Sequence, residues 1–144
     1  MSAVIETGTR LPEQSIEVTP TFIVSTALAT RDFQDVHHDR DRALAGGAKD
    51  IFLNILTSTG LVQRYVSEWA GPGAVVRRVA IRLGVPCHAY ATLTFTGQVT
   101  ECEGADVTVS VVGRVTMDGV STGDHVSGAV TLRRPGNPGG EDGK

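Results

Sequence analysis

The residues best suited to do chemistry lie in the segment TRDFQDVHHDRDRALAGG, which runs from Thr30 to Gly47. Eight consecutive residues of this segment hold three carboxylates and two imidazoles: Asp32, Asp35, His37, His38 and Asp39. A carboxylate and an imidazole five residues apart, as Asp32 and His37 are, can converge on one water molecule across a turn. The imidazole would accept a proton from that water while the carboxylate orients it, so the spacing is typical of a general acid–base pair.

Two other interpretations of the same segment stay open. Asp35, His37 and Asp39 stand at alternate positions and could bind a metal ion, but no distant cluster of Cys or His completes such a site, so we expect no metal. The segment could also be a solvated loop whose carboxylates cap neighbouring helices. Residue types and spacing alone do not decide among these interpretations.

Helices on either side must position this segment. Thr19-Pro20 is typical of a helix N-terminus, although the β-branched residues that follow also permit a strand, and Asp39 to Ala45 predicts a short second helix ended by two glycines. The main helix is predicted from Asp50 to Ala70, where apolar side chains recur at steps of three and four residues before Gly71-Pro72. Its other faces are also largely apolar, so it should be buried on several sides.

After this helix the pattern changes to strands. Four β-branched, partly alternating segments separated by short turns are predicted as strands: Val75 to Leu83, Thr92 to Glu101, Asp106 to Met117 and His125 to Arg133. A buried helix followed by an antiparallel meander is an α+β arrangement in which the sheet wraps around the helix, the hot-dog fold. We assign residues 15–134 to this one domain, residues 1–14 to a flexible arm and residues 135–144 to a disordered Pro- and Gly-rich tail.

Composition excludes several classes of function. The formal net charge of the 144 residues is −3, which argues against nucleic-acid binding, and no apolar stretch is long enough to cross a membrane. The N-terminus lacks the apolar centre of a signal peptide, and two cysteines, Cys87 and Cys102, cannot build a disulfide framework. We therefore expect a reduced, cytoplasmic protein that binds neither nucleic acid nor membrane.

Other polar residues have ordinary structural interpretations. His88 and His125 are typical of loops or strand ends, and both cysteines are typical of small buried hydrophobic residues. Three arginines of the first predicted strand would form a solvated face or contact the phosphates of a ligand: Arg77, Arg78 and Arg82.

The stretch Asp32-Phe33-Gln34-Asp35-Val36-His37, thirteen residues after Thr19, resembles the signature of the MaoC-like (R)-specific enoyl-CoA hydratases. That signature is an Asp, any residue, Asn, Pro, an aliphatic residue and His, so the terminal Asp and His match while Gln34 and Asp35 depart from it. Pro86 also fits the family, whereas Tyr90-Ala91 stand where many members have Gly-Asp. The segment RDFQDVHHD and the long helix together resemble the small subunit of the heteromeric hydratases of actinobacterial steroid side-chain degradation.

This resemblance implies the hydration of a trans-2-enoyl-CoA to a (3R)-3-hydroxyacyl-CoA, with a bulky acyl group and no cofactor beyond the coenzyme A thioester substrate. Asp32 and His37 would be the catalytic pair. Backbone amides at the start of the long helix, from Phe52, Leu53 or Asn54, would bind the thioester oxygen, because a helix N-terminus offers unpaired N–H groups.

The same resemblance implies a second hot-dog subunit paired edge to edge with this one, either a different protein in a hetero-oligomer or a second copy in a homodimer. Two other functions stay open for a hot-dog chain. It could hydrolyse the thioester as an acyl-CoA thioesterase, or it could be a non-catalytic subunit that completes the acyl site of a partner.

Overall fold

A computed structural model describes residues 5–134 of the chain. It contains five strands: β1 (Arg10–Glu17), β2 (Val75–Leu83), β3 (Thr92–Glu103), β4 (Asp106–Met117) and β5 (Val120–Arg133). The α-helices are α1 (Pro20–Ala29), α2 (Arg40–Ala45) and α3 (Ile55–Ala70), and a short 3-10 helix spans Asp35–His37. Within residues 5–134, no helix is long and apolar enough to cross a membrane.

The strands form one antiparallel sheet in the order β1-β3-β4-β5-β2, and the sheet wraps around α3. In β4, every second residue from Val107 to Val111 faces the helix and is fully buried. On the helix side, Val62 and Val66 are completely buried, and the ring of Tyr65 stacks on Phe95 of β3 at 5.5 Å. This arrangement agrees with the α+β layout that the sequence predicts. The expectation that the helix is buried on several sides is wrong, because α3 is buried along one face and Ile55 and Leu56 are more than half exposed.

The predicted start of the main helix at Asp50 is wrong, because α3 begins at Ile55. The preceding residues are extended: Leu53 N–H donates to the carbonyl of Cys87, and Ala89 N–H donates to the carbonyl of Ile51. Ile51 and Leu53 are buried on one side of this extended segment. Pairing with the β2–β3 connection therefore overrides the helical spacing of the apolar residues here.

The prediction of a loose arm up to residue 14 is also wrong for the residues that the structure describes. Ile5 is buried in the core, and Arg10–Glu17 form β1, which pairs with β3. Only Leu11 of this strand is fully buried, and the register shifts between Leu11 and Gln14, so the sequence carries almost no alternation to reveal it. Residues 1–4 of the predicted arm and the whole predicted tail, 135–144, lie outside the described residues.

The helices that flank the polar segment begin as the sequence predicts. The hydroxyl of Thr19 accepts a hydrogen bond from Phe22 N–H at 3.0 Å and caps α1, so the helical interpretation of this segment is confirmed. Asp39 caps α2 by accepting from Arg42 N–H at 3.1 Å. Gly47, which adopts a φ of +99°, follows that helix.

A buried polar pair ties α3 to β5. Nδ1 of His125 donates to the carbonyl of Val85 at 2.7 Å, so in the neutral ring Nε2 accepts from the hydroxyl of Ser58, also at 2.7 Å. His125 is 2% exposed and Ser58 is fully buried. The buried hydroxyl of Ser58 in α3 therefore serves to satisfy this histidine.

This pair predicts a pH-dependent stability. Burial lowers the pKa of His125 below its ordinary 6.5, although the hydrogen bond to Val85 opposes the shift. The unfolded chain binds a proton near that ordinary value and the native state does not, so the free energy of unfolding should decrease as the pH falls below about 6.5.

His125→Asn can still donate to Val85 but does not titrate. In urea unfolding it should be less stable than wild type near neutrality and show a smaller decrease in acid. Equal pH dependence in the two proteins would contradict this assignment.

Candidate active site

The end of α1 places Asp32 close to the start of α3. Thr30 ends the helix, Arg31 adopts a left-handed φ of +57°, and Asp32 N–H then donates to the carbonyl of Ala27 at 2.9 Å. The chain continues into the 3-10 turn that carries His37, whose ring is buried against the extended segment before α3. A helix end and a tight turn therefore bring the two predicted catalytic residues together.

The hydrogen bonds of His37 determine which ring nitrogen is available for chemistry. Nδ1 donates to the carbonyl of Phe52 at 2.7 Å, and the ring packs edge-on against the ring of Phe52 with centroids 5.0 Å apart. In the neutral imidazole Nε2 is then the acceptor. Nε2 lies 3.6 Å from Oδ2 of Asp32, which is longer than a direct hydrogen bond but short enough for both atoms to contact one water. The structure therefore brings the two side chains together, and their role as an acid–base pair stays a prediction.

Two donors hold the carboxylate of Asp32. Oδ1 accepts from Gln34 N–H at 3.3 Å, and Oδ2 accepts from Nδ2 of Asn54 at 3.2 Å. One fifth of the Asp32 side chain is exposed, whereas only 8% of the His37 side chain is. The pair is thus reached by solvent from the side of the carboxylate.

Two of the three residues expected to bind the thioester oxygen use their backbone N–H elsewhere. Phe52 N–H donates to the carbonyl of Val36 at 3.1 Å, and Leu53 N–H donates to the carbonyl of Cys87 at 3.0 Å. Among the described residues, the N–H of Asn54 makes no such backbone bond. It stands at the N-cap of α3, where the helix dipole favours negative charge.

The alternative of a metal site finds no support in residues 5–134, where no three His, Cys, Asp or Glu side chains are grouped to hold an ion. Asp35 forms an ion pair with Arg42 at 3.3 Å, and Asp39 caps α2.

The remaining polar residues lie where the sequence places them. Burial raises the pKa of the Cys87 thiol to about 12, so this side chain is a small buried hydrophobic residue at neutral pH. His88 packs edge-on against Phe52 at 5.8 Å, and burial lowers its pKa. Arg77, Arg78 and Arg82 are exposed on β2, as a solvated face would be.

Phe52 also lines a cavity of about 470 Å³, with Lys49 and His88 as its charged or titratable residues. Neither Asp32 nor His37 lines this cavity. Three apolar side chains that follow Asp32 or Asn54 directly in the sequence are each more than half exposed: Phe33, Ile55 and Leu56.

Residues 4–122 match the model of the MaoC like domain. The chain belongs to this family. It is also 61% identical over 125 residues to the beta subunit of 3-oxo-4,17-pregnadiene-20-carboxyl-CoA hydratase from Mycobacterium tuberculosis, an alignment that covers 87% of this chain and 93% of the relative. These matches confirm the predicted family and its class of enzyme, the hydratases.

Solved structures agree with the MaoC-like assignment. A chain of the ChsH1-ChsH2 complex from Mycobacterium tuberculosis superposes with a TM-score of 0.84 at 58% identity, covering 93% of this chain and 99% of that one. The (R)-hydratase from A. caviae involved in PHA biosynthesis superposes with a TM-score of 0.78 at 16% identity, covering 91% and 98%. At that identity the second match supports the fold alone, and it confirms the hot-dog prediction.

The MaoC-like signature points to Asp32 and His37 but misses the groups that hold them. The carbonyl of Phe52 and the side chain of Asn54 lie 15 and 22 residues farther along the chain than the groups that they contact. The one available signal was a polar Asn among apolar residues just before the main helix. Its side-chain role is visible only once the fold brings α3 against the end of α1.

Proposed function

We propose that this MaoC-like chain is the subunit of an enoyl-CoA hydratase that carries the acid–base pair Asp32 and His37. The reaction adds water across the α,β double bond of an enoyl-CoA thioester to give a (3R)-3-hydroxyacyl-CoA. The observation that carries this proposal is the arrangement of His37. Its Nδ1 is occupied by the carbonyl of Phe52, and its Nε2 faces Oδ2 of Asp32 at 3.6 Å.

In this mechanism one water molecule binds between Nε2 of His37 and Oδ2 of Asp32. Its oxygen bonds to the β carbon while Nε2 takes one of its protons, and the electron pair of the double bond moves toward the thioester oxygen. The α carbon then receives a proton from the same pair, which returns His37 to its neutral form. The substrate gains one hydroxyl and one hydrogen in total, and no electrons are exchanged, so the proposal assigns no metal or redox cofactor.

The thioester oxygen gains negative charge during this step and needs a hydrogen-bond donor aimed at it. We assign that role to the backbone N–H of Asn54, supported by the unpaired amides in the first turn of α3. The amides of Phe52 and Leu53 are not assigned to it, because both donate to backbone carbonyls.

The active enzyme is proposed to contain a second hot-dog subunit. Phe33, Ile55 and Leu56 are exposed apolar side chains in the single chain, and β2 is an edge strand, paired with β5 on one side only, with Val75 and Leu83 exposed. The Mycobacterium tuberculosis relatives are named as a beta subunit and as part of a ChsH1-ChsH2 complex. We therefore propose a heteromer that acts on a bulky, steroid-derived acyl-CoA, located in the cytoplasm.

Turnover of a large substrate should depend on that partner. The chain alone should hydrate 3-oxo-4,17-pregnadiene-20-carboxyl-CoA weakly and pair with itself. Co-expressed with a second hot-dog subunit, it should reach full activity, because the partner covers the exposed apolar side chains and completes the acyl site. Steady-state assays of the chain alone, the partner alone and the complex, together with native mass measurement, check this. Full turnover of the steroid thioester by a pure homodimer would show that the second protein is unnecessary.

A further inference from the structure

Asn54 occupies the N-cap position of α3 without capping the helix. An Asn there usually accepts a hydrogen bond from a backbone N–H of the first turn, which stabilises the helix. The side chain of Asn54 makes no such bond. Its Nδ2 instead donates to Oδ2 of Asp32 at 3.2 Å and to the hydroxyl of Thr30 at 2.8 Å. The side chain is therefore directed to the acid–base pair rather than to the helix.

Neighbouring hydroxyl groups determine the orientation of this amide. The hydroxyl of Thr57 donates to Oδ1 of Asn54, which leaves Nδ2 turned toward Asp32. The hydroxyl of Thr30 directs its own proton to the carbonyl of Thr26 at 2.8 Å, so it accepts from Nδ2. Rotating the amide by half a turn would set its oxygen against the Asp32 carboxylate and its N–H groups against the Thr57 hydroxyl.

These hydrogen bonds are buried. Asn54 is 2% exposed and Thr57 is 6% exposed, so bulk water has little access to the amide. On its other oxygen, Asp32 accepts a hydrogen bond from the backbone N–H of Gln34, at 3.3 Å. The amide of Asn54 is thus the side-chain contact that restrains Oδ2, the oxygen nearest to Nε2 of His37.

We propose that the side chain of Asn54 is a positioning residue for the hydration reaction, which holds Oδ2 of Asp32 opposite Nε2 of His37. This inference rests on the proposed function, since it supposes that Asp32 and His37 bind the water together. The backbone of the same residue is assigned to the thioester oxygen. Asn54 would therefore contact both Asp32, through its side chain, and the thioester oxygen, through its backbone N–H.

Two substitutions separate this role from helix capping. Asn54→Asp keeps the size and a good N-cap residue but places a carboxylate oxygen where the donor was, and Asn54→Ser keeps a good N-cap residue that cannot reach Asp32. In the complex with the partner subunit, both should lower kcat about tenfold or more with little change in KM, the scale expected when a catalytic group is misplaced. The assay uses 3-oxo-4,17-pregnadiene-20-carboxyl-CoA, and melting temperatures are recorded alongside.

Thr59→Ala is the matched control. The Thr59 hydroxyl donates to the carbonyl of Ile55 at 2.8 Å, at the same end of α3, and touches none of the network. Its kcat should stay near that of wild type. If both Asn54 variants fold and keep a kcat within about twofold of wild type while His37→Ala is inactive, the positioning role is wrong and the proposed function stands. If His37→Ala is also active, the acid–base pair itself is wrong.

Discussion

Replacing His37 by alanine is expected to lower the hydration rate of the assembled enzyme by about two orders of magnitude or more, the usual scale for a general acid–base group. His37 is the base in the proposed reaction, and its tautomer is set by the hydrogen bond from Nδ1 to the carbonyl of Phe52. Among the described residues, no other imidazole faces Asp32. The substitution should reduce kcat and kcat/KM alike, because the lost interaction acts on the transition state.

The neighbouring histidine offers a matched control for this prediction. The side chain of His38 is more exposed than that of His37, and its Nε2 lies 3.9 Å from Asp35 rather than near Asp32. His38→Ala should therefore have a much milder effect on turnover of the same enoyl-CoA. A well-folded His37→Ala complex with near-normal activity, or equal losses in the two variants, would contradict the role assigned to His37.

Asp32→Asn is expected to lower hydration on the same scale, about two orders of magnitude or more. The change preserves the shape of the side chain but removes the negative charge that orients the water and balances the proton taken up by His37. It also turns one carboxylate oxygen into an N–H donor. In either orientation of the new amide, that donor faces one of the two N–H groups that now bind Asp32, from Gln34 and Asn54.

Asp35→Asn controls for the loss of a carboxylate in the same loop. Asp35 is about half exposed and forms an ion pair with Arg42 at 3.3 Å on the surface. Its neutralisation should leave turnover within about twofold of wild type, since exposed ion pairs contribute little. Steady-state kinetics of the two variants in the same complex compare them directly, and an Asp32→Asn enzyme as active as Asp35→Asn would remove Asp32 from the mechanism.

Much of the fold could be predicted because the strong patterns coincide with burial. The helical repeat of α3 and the β-branched alternation of β4 are both produced by one face packing into a single core. The prediction fails where pairing between distant segments decides the structure. β1 buries only Leu11 and depends on its pairing with β3, and the extended segment before α3, although buried, depends on its pairing with the β2–β3 connection. Such pairings join residues far apart in the chain, and no local pattern encodes them.

For the candidate site, too, the sequence could predict local features but not contacts between distant segments. Asp32 and His37 could be predicted because they lie five residues apart, within one loop and one recognisable signature. The carbonyl of Phe52 and the amide of Asn54 could not, because they reach the pair only through the packing of α3 against α1. For the donor to the thioester oxygen, the sequence predicts only a region of three backbone amides. Two of the three amides are occupied in the structure by hydrogen bonds that the sequence does not reveal.

The central claim, that this MaoC-like chain hydrates an enoyl-CoA through Asp32 and His37, is tested most directly by the product formed in water labelled with heavy oxygen. Mass spectrometry of the reaction of the complex with 3-oxo-4,17-pregnadiene-20-carboxyl-CoA should find an intact thioester heavier by one labelled water, with the label in its new hydroxyl group. The His37→Ala complex should form almost none of this product in the same time. Release of free coenzyme A with a labelled carboxylic acid would instead identify a thioesterase, and labelled hydroxyacyl-CoA formed equally by His37→Ala would place the chemistry outside this pair.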